Sequence, residues 1–119
     1  MEVQAERLAE FVRERVGDAV RAVGYHTSGE IDVVYVRDDV AKQYPPERVE
    51  RFASVSRGIN DDLSRLDEMG RPKSSLHSLE EGFILQFHEG AGDVVFLAMD
   101  REVGRNLTRF IDECREQMR

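Results

Sequence analysis

Hydrophobic residues recur along this chain with two periods, and the switches between them mark out its elements. Residues 3–16 follow the helical period, with Val3, Leu8, Phe11, Val12 and Val16 on one face and Glu and Arg opposite. Gly17 and Asp18 close that helix. From 19 to 27 and from 30 to 37 the period falls to two around Ser28-Gly29, which predicts a tight hairpin. Its second strand, "IDVVYV", is apolar on both faces except at Asp32, as in strands covered on both sides or set inside a sheet. A helix is predicted over 46–67, opened by Pro46. Its residues Val49, Phe52, Ser56, Ile59, Leu63 and Leu66 are spaced by three and four, forming a narrow seam. Gly70 and Pro72 punctuate the next loop. Three strands follow: the weak, polar "SSLHSLEE", the stronger "FILQFH" and the very apolar "DVVFLAM", joined at Glu81-Gly82 and "EGAGD". A last helix over 102–118 places Val103, Leu107, Phe110, Ile111, Cys114 and Met118 on what should be its inner face.

The element order is therefore α-β-β-α-β-β-β-α, read as a single α+β domain spanning 1–119. Hairpins and a meander imply a five-stranded antiparallel sheet. Strands apolar on both faces imply helices on both sides, so the expected architecture is a three-layer sandwich, profilin-like in outline.

Composition narrows the setting. At 119 residues the chain can bury a true core. Its longest apolar runs, such as "VVFLAM", are far short of a bilayer span, and "MEVQAERLAEFVRERVG" lacks the apolar region of a signal peptide, so a cytoplasmic protein without membrane association is expected. The lone Cys114 excludes an internal disulfide and reads as a buried, inert thiol. Acids outnumber bases 24 to 17, and of the bases only Lys42 and Lys73 are lysine. An acidic, lysine-poor, arginine-rich chain fits a salt-filled cytoplasm, as in a halophilic archaeon. The net charge of −7 argues against a nucleic-acid partner.

No residue group stands out as catalytic. Arg37, Asp38 and Asp39 close the second strand and read as a sheet edge meeting solvent, since no calcium-loop pattern follows. His26, His77 and His88 fall on strands of one sheet but lack the short spacing of metal ligands, and the first and last read as strand-end residues. No G-x-S-x-G occurs, "ASVSRG" lies within a helix, and "EGAGD" has no lysine or following helix to hold phosphate. Arg101, Arg105 and Arg109 form a stripe that Glu102, Asp112 and Glu113 can neutralise. No cofactor or metal is expected, and the chain is read as a non-enzyme.

The element order and length resemble roadblock-type domains, and more loosely longin domains. In addition, Val16-Gly17-Asp18 before the first strand and Tyr35-Val36-Arg37-Asp38-Asp39 after the second resemble a family of small haloarchaeal proteins of unknown function. The roadblock resemblance implies a homodimer built from the second helix and the edge strand after it, although the short loops depart from the pattern of GTPase regulators. The seam Val49, Phe52, Ser56, Ile59, Leu63 and Leu66 lies on the corresponding helix and is the expected dimer interface. The reading is an interaction or regulatory module that self-associates and engages a protein partner. The alternative is a small-molecule sensor with a pocket between sheet and helix, lined by Tyr25, Tyr35, Phe83 or Phe87.

Overall fold

The computed structural model describes residues 1–66, 68–90 and 92–118. Three α-helices (α1, Glu2–Val16; α2, Pro46–Leu66; α3, Arg105–Gln117) and five strands (β1, Val20–His26; β2, Ile31–Val36; β3, Ser74–Ser78; β4, Gly82–His88; β5, Val94–Asp100) follow in the expected order. Short 3-10 turns at Gly17–Ala19, Asp38–Gln43 and Arg101–Gly104 join them. The strands form one antiparallel sheet in the order β2-β1-β5-β4-β3, which bears out the α+β class and the strand count. The most apolar strand, β5, is central. The polar β3 lies at one edge, where side chains need least burial. The strand "IDVVYV" lies at the other edge rather than inside the sheet, half-buried except at the exposed Asp32. Helices on both sides cover it, which satisfies its two apolar faces.

α1 lies on one face of the sheet. Ala5, Ala9 and Val12 sink onto Val20, Val23, Tyr25, Val95 and Leu97. The alanines bring the helix axis close, so the inward line runs through 5, 9 and 12. Val3 and Phe11, expected inside, turn outward. Phe11 instead carries the Arg15 guanidinium 5.7 Å from its ring centre.

α2 covers the other face through Val49, Val94 and Phe96, with Phe52, Ile31, Val33 and Tyr44 around them. Gly24 makes room for this contact: a Cβ there would lie 2.4 Å from the tip of the Phe96 ring. The β1–β2 register shifts at the same place, between Val23 and Gly24.

α3 departs most from expectation. None of its residues is buried, and Leu107, Phe110 and Met118 face solvent. It is anchored at its start, where the Phe83 ring packs on Gly104. Cys114 is consequently exposed, not a core thiol. No helix among the described residues is long and apolar enough to cross a membrane.

Candidate functional site

The six seam residues of α2 separate into two lines. Val49 and Ser56, with Ala53 between them, are buried against the chain's own sheet. Phe52 stands beside them, its ring edge-on to Phe96 at 5.3 Å. At 100° per residue, Val55, Ile59, Leu63 and Leu66 fall roughly 40–120° around the helix from Val49. Val55 is 56% exposed and Leu66 76%, Leu63 is exposed and Ile59 half-buried. Val49, Ala53, Ser56 and the Phe52 ring serve the sheet, and Val55, Ile59, Leu63 and Leu66 form a second apolar stripe.

Beneath α2 the sheet carries a polar layer. Gln86 is buried, and its side-chain amide donates to Ser56 Oγ at 2.9 Å. His77 Nε2 lies 3.4 Å from Gln86 Oε1, and Ser75 Oγ lies 2.8 Å from His88 Nε2. The register places His26, Val94 and His88 in one row across β1, β5 and β4. All three histidines therefore project from the α2 face. His26 is fully buried, not a strand-end residue in water, and neither ring nitrogen has a hydrogen-bond partner. Burial and the nearby Arg57 charge push its pKa down to about 4, so the ring is neutral at pH 7. Burial, then repulsion from His77, likewise lowers His88, whose Nδ1 has no partner. Two strand spacings put His26 and His88 about 10 Å apart at the backbone. Among the described residues no three His, Cys, Asp or Glu side chains are placed to hold a metal.

Arg37 does more than meet solvent. It bridges Asp39 and Asp100, the latter at 2.7 Å, and donates to the Asp18 carbonyl. Arg21 adds a 3.1 Å bridge to Asp100 and a 2.9 Å bond to Gln43. The cluster ties the ends of β2 and β5 to the start of β1. The Arg37 hydrogen bonds hold both Asp39 and Asp100 below the usual carboxylate range. Asp38 stays exposed.

The arginines of the last helix share their surface with Glu102, Asp112, Glu113 and Glu116, and Arg101 donates to the Glu80 carbonyl at 3.1 Å. Tyr25, Tyr35 and Phe87 pack in the α1-face core and Phe83 on Gly104, so these four do not line a pocket under α2. The space there is a cavity of about 160 Å³ between Tyr44, Val49, Phe52, Ile84 and Phe96.

A larger cleft, of about 790 Å³, opens where the C-terminal half of α2 passes the β4–β5 turn. Arg57, Arg65, Arg71, Lys73 and His88 line it, with one carboxylate among the described residues, Asp61. Sequence reasoning missed this group, because its cations come from α2 and from the loop before β3. The one local signal was Gln86, a polar residue at an inward position of "FILQFH".

A family model described as a domain of unknown function (DUF7522) matches residues 6–119, and the chain belongs to that family. No curated protein matches the chain.

Proposed function

We propose that this DUF7522 member is a non-enzymatic interaction module that works as a homodimer, joined through the outward stripe of α2 and the free edge of β3. The observation that carries this reading is the apolar stripe Val55, Ile59, Leu63 and Leu66, exposed at three positions and half-buried at Ile59. A helix that had only to cover a sheet would need one such line. β3 is the last strand, so its outer backbone groups have no strand partner, and Leu76 and Leu79 are exposed beside them. Two copies related by a twofold axis would pair β3 with β3 and pack stripe on stripe, as the resemblance to roadblock-type domains implies. The reading places the protein in the cytoplasm of a high-salt organism, in keeping with its acidic, lysine-poor composition.

Light scattering in molar KCl tests it. The native chain should have twice its 13.7 kDa mass, and Leu63→Asp with Leu66→Asp should give a folded monomer. A native monomer, or a double variant that stays dimeric, would overturn the assignment.

A further inference from the structure

The cleft beside α2 carries a second inference, independent of dimerisation. In a chain of net charge −7, four of the 17 Lys and Arg side chains line this one concavity, against one carboxylate among the described residues, Asp61. They come from different segments: Arg57 and Arg65 about two turns apart on α2, Arg71 and Lys73 from the loop before β3. The side chains of Arg65, Arg71 and Lys73 have neither an ion pair nor a hydrogen bond among the described residues. Arg57 is fixed by donating one guanidinium nitrogen to the Thr27 carbonyl, which leaves its other donors free. The nearby arginine stripe of α3 is the contrast, since it shares its concavity with four carboxylates. Holding like charges together without partners costs energy, and an acidic proteome has no general reason to retain them.

We propose that this cleft binds a small phosphorylated ligand through a diphosphate-type pair of adjacent phosphoryl groups. A single phosphoryl group brings about two negative charges, fewer than the cleft's excess of positive charge, whereas two adjacent groups match it. The guanidiniums of Arg65 and Arg71 offer paired donors suited to phosphoryl oxygens, and Lys73 adds a point charge. Asn60 and Ser64 supply neutral donors from the same turns of α2. The volume of about 790 Å³ lies within the usual range for small-ligand sites. At the floor the buried Nδ1 of His88 lacks a protein partner, and two strands along the same row both ring nitrogens of the buried His26 do too. Buried polar atoms of that kind call for a partner.

Isothermal titration of the full-length chain with inorganic pyrophosphate tests this. One saturable site is expected, weakening as KCl is raised, with orthophosphate binding less tightly. Arg65→Ser with Arg71→Ser should weaken pyrophosphate about tenfold or more, since each removes a charge-assisted contact. Arg105→Ser with Arg109→Ser on α3 should leave it unchanged. A nucleoside diphosphate that binds more tightly than pyrophosphate would support the site and extend it. Absence of binding at low salt, equal losses in both arginine variants, or binding of a single-stranded oligonucleotide but not of pyrophosphate would overturn it.

Discussion

The two faces of the sheet are built on different principles. Under α1 the contact is dry: Val20, Val23, Tyr25, Val95 and Leu97 meet two alanines and a valine, and the Tyr25 hydroxyl reaches Glu30 at 3.4 Å at the margin. Under α2, Val94 and Phe96 alternate with a buried polar layer of His26, Gln86 and Ser56, and the helix carries further apolar residues, Val55, Leu63 and Leu66, exposed on its flank. Burying polar groups costs stability unless every one is paired, and His26 is not. The α1 face therefore supplies stability, and the α2 face gives some of it up.

The largest effects should come from the dry face. Leu97→Ala, at a site 2% exposed, should cost about 2–5 kcal/mol in denaturant unfolding, through lost burial and a residual cavity. A much smaller loss would mean that α1 is loosely docked and the contrast between faces false.

The polar face should reveal itself through pH. The unfolded chain protonates His26 near the ordinary histidine value of about 6.5, the folded chain only at about 4. The folded state thus binds fewer protons in that window. Stability should be complete above about pH 6.5 and decline toward pH 4, by on the order of 3 kcal/mol. Chemical unfolding across this range checks it, and His26→Leu should flatten the profile. Below that window a second loss follows as Asp100, whose pKa is depressed by Arg37, is protonated.

Smaller still is the sheet-end staple shared by both faces. Asp100→Asn should cost about 1 kcal/mol, because the cluster is partly exposed and Arg37 retains Asp39. Smallest is the outer stripe of α2: Leu63→Asp should change the unfolding free energy of the isolated chain by less than about 0.5 kcal/mol. A large loss there would make the stripe part of the fold.

Element order, the hairpin at Ser28-Gly29 and the helix starting at Pro46 were legible because period, turn residues and caps are local signals. Strand order was not, since edge and centre depend on which neighbours a strand finds. "IDVVYV" was apolar enough for either position. The α2 seam was visible as one stripe, but its division into inner and outer lines required knowing that Ala53 and Ser56 set the approach distance to the sheet. The amphipathic pattern of α3 predicted an inner face, yet it records only that one side is apolar and not what covers it. The cationic cleft joins residues far apart in sequence, and no local pattern could have assembled them.

The claim that the two faces serve different ends is tested most directly by comparing Val23→Ala with His26→Leu in one set of denaturant titrations. Both residues are fully buried on β1, on opposite faces of the sheet. The account predicts opposite signs: Val23→Ala destabilises by about 1–3 kcal/mol, and His26→Leu, which removes two unpaired buried nitrogens at similar volume, is neutral or stabilising. Comparable losses in both would contradict it and make His26 part of the structural core.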